Sequence, residues 1–259
     1  MDAPSSPRPY VLAETNWKNV RDQDYCLAVL PWGATEAHNY HLPYATDNYQ
    51  AEAVAIESAR IAWQSGAKVI VLPCVPFGVN TGQLDIDLCL NMNPSTQMAV
   101  LEDLAEVVFA SGIDKLVILN GHGGNHFKQM IRELSVGLPD LFACSVNWYL
   151  AGKPFQHFAD PGDHAGQLET SMMMHLKPDC VLPLQEAGDG SAKRFRFDAF
   201  QEGWASAQRE WSQVTEDTGV GNPQGSTPEL GKAYFDASCD QIGKFLHELA
   251  TTRNDDLYI

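Results

Sequence analysis

The chain has 259 residues, 44% of them hydrophobic, and a formal net charge of −16 from 17 Lys and Arg against 33 Asp and Glu. That apolar content supports one sizeable core, and the acidic excess argues against a nucleic-acid backbone as partner, which selects for basic patches. No apolar run reaches the roughly 20 residues of a bilayer-spanning helix, and MDAPSSPRPY lacks a cationic stretch followed by an apolar one. The expectation is a cytoplasmic protein with no membrane or nucleic-acid partner, acting on a small molecule.

Nothing marks an internal linker, so residues 1–259 are read as a single domain, with 1–9 disordered and a short element over Asn16 to Val20. Tyr25 to Leu30 is a continuous apolar run, as in a strand buried on both faces of a parallel sheet. The loop that follows carries Glu36, His38, His41 and Asp47. A helix is predicted from Asn48 to Gln64 on the face Tyr49, Ala53, Ile56, Ala59 and Trp63, ended by Gly66 in a left-handed conformation. Lys68 to Leu72 reads as a strand, and Pro73 to Asn93 as a long loop that either works at the site or packs on a neighbouring subunit. Asn93 and Pro94 open a second helix running to Gly112.

Lys115 to Leu119 is the third strand, followed at once by Asn120-Gly121-His122-Gly123-Gly124-Asn125 and a helix to about Ser135. Phe142 to Val146 is a further strand ending at Asn147-Trp148; His164 to Leu176 reads as a helix and Cys180 to Leu182 as a short strand. A helix anchored by Trp204 and Trp211 is expected between Phe197 and Gln213, Thr218 to Pro223 is a turn-rich return, and a last helix spans about Pro228 to Thr251 through Leu230, Tyr234, Ile242, Phe245 and Leu249. Repeated strand–helix alternation predicts an α/β fold with a mainly parallel sheet and right-handed crossovers, whose ligands bind at the carboxyl ends of strands. The six cysteines never form CxxC and read as reduced core thiols.

Glu36 and His38, two apart in an extended loop, point to the same side and can share one cation; Asp47 at the start of the next helix can cap it or bridge two cations. His122 between glycines allows a second group to approach its ring closely, although a plain tight turn has the same letters. Glu169 stands alone in the apolar stretch HAGQLETSMMM, where a carboxylate needs a charged partner, a cation, or an exposed helix face. His164 beside Asp163 reads as a proton shuttle positioned by its neighbour or as a solvated helix end, and Trp148 as a cover for a planar substrate or as core. Taken together, two imidazoles and three carboxylates at strand ends match the donor set of a two-metal hydrolase.

LPWGATEAHNYHLPYATD, SGIDKLVILNGHGGN, DHAGQLETS and, more loosely, TGVGNPQGSTPELGKAYF occur in that order, and in these segments the chain resembles the creatininase (creatinine amidohydrolase) family. The resemblance implies a three-layer α/β fold with a mainly parallel central sheet. It implies two divalent ions per chain, zinc first with manganese or iron as alternatives, and a homo-oligomer, commonly a hexamer. By motif, Glu36, His38, Asp47 and His122 look like metal ligands with Asp47 as the bridge; His164 and Asp163 fall on the proton-transfer pair, and Trp148 on an aromatic that closes the pocket. True creatininases carry a metal-binding glutamate where this chain has Gly124, so Glu169 is taken as the fifth ligand, and a second tryptophan where it has Asp160. The implied activity is metal-dependent hydrolysis of a C–N bond other than a peptide bond, in a small cyclic amide or formamide rather than in creatinine. The alternatives are hydrolysis of an oxidised cyclitol or sugar and non-catalytic binding of a small ligand.

Overall fold

The computed structural model describes residues 7–259; of the disorder expected over residues 1–9, residues 1–6 lie outside the described residues, whereas Arg8 pairs with Glu14 and Pro9 O accepts from the Tyr25 hydroxyl, so the chain is already held there. Four strands, β1 (Leu27–Trp32), β2 (Val69–Val71), β3 (Lys115–Asn120) and β4 (Phe142–Asn147), form one sheet in the order β2-β1-β3-β4, with every pair parallel. β1 and β3 are central and buried along their whole length, which is why they read as unbroken apolar runs. Their alternation feeds two separate cores. Leu27, Val29, Val117 and Leu119 face one side, and Ala28, Leu30, Leu116 and Ile118 the other.

Helices cover both faces, giving three layers. After a short α1 (Trp17–Arg21), α2 (Thr46–Gln64) packs on the first face, and α3 (Pro94–Ala110) and α4 (Phe127–Gly137) on the second. A one-turn α5 (Trp148–Ala151) follows β4, then α6 (Gln167–Leu176), two four-residue helices α7 (Asp198–Gln201) and α8 (Trp211–Val214), and the long α9 (Pro228–Thr251). The inner stripe of α2 is Ala51, Val54, Ala55, Ser58, Ala59 and Ala62 rather than the larger residues expected, of which Tyr49, Ala53, Ile56 and Trp63 are only half-buried. The reason is that α2 is covered twice, by the sheet and by α9, so small residues take the inside.

Three further expectations are corrected. His164 is not helical: it pairs with Val220 in an isolated bridge, and α6 starts three residues later. Cys180 to Leu182 is not a strand; Cys180 ends a 3-10 turn and is exposed, unlike the other cysteines, and all six are free. The single helix expected before Gln213 is two short ones, with Trp204 exposed and only Trp211 buried, because GWASAQ offers no continuous apolar face. Among the described residues no helix is long and apolar enough to cross a membrane.

Strand order places the site. The chain leaves β1 toward β2 on one side and returns to β3 on the other, so the carboxyl ends of β1 and β3 open a crevice between loops that diverge. The Glu36 loop leaves β1 and the His122 turn leaves β3, stitched by the Gly121 N–H donating to Trp32 O at 2.8 Å. Glu169 enters from α6, which α9 presses against the site: a Cβ on Gly231 would lie 1.9 Å from Ser171 O. Replacing Gly231 with Ala should therefore destabilise the protein by about 1–3 kcal/mol in urea unfolding, the cost of overpacking, despite the better helix propensity of alanine; unchanged stability would mean that α6 and α9 separate freely.

Candidate metal centre

Glu36, His38 and Asp47 are buried within 1% of full enclosure, and His122 and His164 are 7% exposed. Asp47 sits in the first turn of α2 and makes no cap; its two oxygens point in different directions. Oδ1 lies 3.1 Å from His38 Nε2, and Oδ2 lies 3.2 Å from His122 Nδ1. Glu36 Oε1 stands 2.7 Å from His122 Nδ1, and Glu169 Oε2 stands 4.0 Å from His38 Nε2. The donors thus sort into a Glu36, Asp47, His122 group and a His38, Asp47, Glu169 group, each with its ligand atoms within 4.8 Å of one another, joined by Asp47. Glu36, His38 and His164 form a third such group, so the two-apart pair does face one side, though each has its nearest partner elsewhere.

The second nitrogen of each imidazole is held by a backbone carbonyl: His38 Nδ1 to Glu36 O at 3.1 Å, and His122 Nε2 to Val79 O at 3.1 Å. Such bonds set ring orientation and leave the other nitrogen free for a cation. Gly124 makes the second one possible, since a Cβ there would lie 2.3 Å from Val79 O and 2.4 Å from His122 Nε2. The two asparagines flanking the turn clamp it: His122 N–H donates to Asn120 Oδ1 at 3.1 Å and Asn125 Nδ2 to the same oxygen at 3.0 Å.

The donor set fits divalent cations. Glu36 Oε1 and Asp47 Oδ2 are buried without a hydrogen bond among the described residues, an arrangement that costs several kcal/mol unless positive charge lies beside it. In the protein alone the histidines supply that charge. Burial alone would lower the pKa of His38, but the charge and hydrogen bond of Asp47 outweigh it and lift it to about 10. Burial likewise opposes, and Glu36 and Asp47 overcome, in raising His122 well above its usual range. Asp47 is held below the usual carboxylate range against its burial by His38 and His122, whereas burial lifts Glu169 to about 7 against the opposing charge of His38. A cation would take the place of those protons.

His164 lies just outside, its ring 4.1 Å from that of His38 and its Nδ1 3.9 Å from Glu36 Oε1. Its Nε2 lies 2.8 Å from Ala37 O, which calls for an Nε2–H donor and leaves Nδ1 as an acceptor toward the site. Burial, and next the charge of His38, push its pKa down, while the bond to Ala37 O leaves Nδ1 open toward the site. A pocket of about 250 Å³ lies over this centre, lined by Glu36, Asp47, His122, His164 and Glu169 together with Tyr149.

The sequence profile of the creatininase family, described as creatinine amidohydrolase, matches residues 13–246. The chain belongs to the creatininase family. A Bacteroides fragilis protein provisionally described as a creatinine amidohydrolase superposes with a TM-score of 0.90 at 40% identity, covering 97% of this chain and 99% of that one. In sequence, the chain is 28% identical over 218 residues to the mycofactocin precursor peptide peptidase of Mycobacterium tuberculosis, 82% of this chain and 81% of that protein. With the Mycolicibacterium smegmatis protein of that name, the match spans only 60% of each. A creatininase of Zn-Zn type has the same fold at 19% identity, with a TM-score of 0.75 over 94% of this chain and 99% of that one. Membership places the chain among hydrolases of amide bonds.

Two residues expected at this creatininase-family site make other contacts than the expected ones, although Asp163 stays on the pocket wall. The Asp163 carboxylate is exposed and pairs with Arg209 at 2.6 Å, so it does not position His164; the next residue on an extended backbone points the opposite way. His164 is held instead by Ala37 O and by the backbone bridge with Val220, which brings the Thr218 to Pro223 return against it. Trp148 is fully enclosed below Gly121, against Tyr149 and Tyr234, and does not line the pocket. Trp211 is the tryptophan at the site, edge-on to His164 with ring centres 4.8 Å apart. His41, left without a role in the sequence, has Nε2 2.9 Å from Thr170 Oγ1, beside Glu169 in α6.

The residue that sequence reading missed is Gln83, in the featureless loop from Pro73 to Asn93. It is buried, its Nε2 donates to Glu36 Oε2, and its Oε1 accepts from Cys89 Sγ at 3.1 Å, while Cys89 Sγ in turn accepts the Ala37 N–H at 3.2 Å. No spacing signal marks it, because it reaches Glu36 across 47 residues. Replacing Gln83 with Leu should weaken divalent-metal affinity about 10- to 100-fold in competition with a chromophoric chelator; unaltered affinity would show that Glu36 needs no such support.

Proposed function

We propose that the chain is a metal-dependent amidohydrolase that holds two divalent ions and cleaves the C–N bond of a small cyclic amide or formamide. The observation that carries this reading is Asp47, buried, with one oxygen toward each of two histidines whose other nitrogens are tied to backbone carbonyls. Glu36, His122 and Asp47 would hold one ion, and His38, Glu169 and Asp47 the other. Zinc is preferred and manganese or iron are alternatives; one structural relative is a Zn-Zn creatininase and another a Mn creatininase. Bound there, the ions would acidify a water and polarise the carbonyl oxygen.

The chain's own groups then do the rest. Asp47 and Glu36 fix the positions from which a water approaches the carbonyl carbon. His164 accepts the proton of that water on Nδ1, while its Nε2–H stays on Ala37 O, and returns it to the departing nitrogen. Trp211 shields this ring from bulk water, which keeps the proton on a short path. The pocket of about 250 Å³ favours a small reacting group over a folded polypeptide. A terminal amide of a peptide is the second reading, favoured by the sequence likeness to two mycobacterial mycofactocin precursor peptide peptidases.

Elemental analysis of protein purified without chelator should find about two divalent ions per chain, falling in the variant Glu169→Gln. Two ions retained in Glu169→Gln would remove Glu169 from the ligand set, and none even after supplying zinc, manganese and iron would favour a metal-free binding protein. The variant His164→Ala should keep its metals while turnover of a formamide or cyclic amide falls by about 10²- to 10⁴-fold; loss of metal instead would make His164 a ligand.

A further inference from the structure

Beside the pocket over the metal centre lies a larger groove of about 980 Å³, and the two share Phe155, Pro161, Gly162 and Asp163 along one wall. The far side of the groove is the run Lys193-Arg194-Phe195-Arg196-Phe197. Three of the chain's 17 cations thus stand together on a protein of net charge −16. Arg8, Arg21, Arg60, Arg209 and Arg253 each have a carboxylate partner, but Lys193, Arg194 and Arg196 have none among the described residues. Of the acids on the groove wall, Asp163 is taken by Arg209 at 2.6 Å and Asp160 accepts the Gly162 N–H at 3.2 Å, so only Glu210 is unengaged.

The run is held in place without any ligand. Lys193 N–H donates to Val214 O at 2.8 Å, Ala192 pairs with Thr215, and Gln201 Nε2 donates to Phe195 O at 2.8 Å. Its aromatic rings are left partly uncovered: Phe195 stacks on Phe200 at 4.7 Å yet stays 38% exposed, and Phe155 on the shared wall is 78% exposed. Guanidinium groups without carboxylate partners, carried on a held backbone beside open ring faces, suit an anion on a planar group.

We propose that this groove binds an anionic group, a phosphate or a carboxylate, at the far end of the substrate whose amide is cleaved at the metal centre, with a planar part of that substrate against Phe155 and Phe195. It builds on the hydrolase reading, because it takes the groove as a continuation of that substrate's path over Gly162. A substrate no larger than the pocket of about 250 Å³ would leave the groove unused.

The test is calorimetric titration of the metal-loaded full chain with phenyl phosphate, benzoate and neutral benzamide, for the wild type and for the double variants R194E/R196E and R194Q/R196Q. Both substituted positions, Arg194 and Arg196, are exposed, so thermal unfolding and metal content should match the wild type. One of the two anions should bind the wild type at least about tenfold more tightly than either variant, with benzamide indifferent to the change; a phosphate preference and a carboxylate preference identify the group. Equal anion binding in all three proteins, or binding abolished by chelation and untouched by the arginines, overturns the proposal. Because the readout is binding, a chain that cleaves no amide but loses anion affinity with its arginines refutes the hydrolase and keeps the groove, and the converse result does the reverse.

Discussion

Asp47 is a carboxylate taken almost wholly out of water, and it is tolerable there only because His38 and His122 lie within 3.2 Å of its two oxygens. The rest of the working end follows from keeping those three groups together. The first turn of α2 must begin beside the end of β1, which demands the compact loop from Gly33 to Ala45. β3 must neighbour β1, so that the turn carrying His122 arrives within reach. Glu36 and Glu169 add further buried carboxylates, so the site carries more negative charge than its imidazoles can neutralise without protons or cations. A donor set of this kind is costly to the fold and useful to a Lewis acid.

Backbone carbonyls and small residues do much of the positioning. Ala37 O, Glu36 O and Val79 O each take one nitrogen of an imidazole, so three rings are aimed by main chain rather than by other side chains. Close approach is the condition for this. Gly124 lets Val79 reach His122, and Gly78 lies where a Cβ would meet His122 Cδ2 at 2.9 Å. The amide-rich support from Asn120, Asn125, Gln97 and Gln83 is polar but uncharged, so it orients the ligands without adding to the charge that must be balanced.

Membership of the creatininase family and a shared architecture describe the scaffold, and the candidate metal centre sits at the point that such a sheet offers to any ligand. What surrounds the centre differs in kind from what builds it. The ligands come from strand ends and the first turns of helices, which are rigid. The walls of the pocket over the centre come from the segment between β4 and α6, Tyr149, Phe155 and Pro161 among them, where elements are short and His164 is held by an isolated bridge to Val220.

The four strands, the main helices and the donor residues that come together at their ends were legible in the sequence for local reasons. An apolar run buried on both faces looks the same in one dimension as in three, Gly66 takes the left-handed φ of 98° that ends α2, and Pro228 opens the first turn of α9. Glu36, His38, Asp47 and His122 stand out because charged residues directly after buried strands have few uses other than a site. The partnerships were not legible. Asp163 follows its own backbone outward to Arg209, Trp148 turns under Gly121 into the core, and Gln83 and Trp211 reach the centre from segments with no period at all. Adjacency in sequence sets which residues are near, but the direction of each side chain depends on local backbone torsions and on packing across long loops, and these exist only once the chain has closed on itself. The sequence by itself determined the chemistry available at the ends of β1 and β3; the tertiary structure alone decided which groups meet there, because a side chain's neighbours are set by contacts tens to more than a hundred residues away.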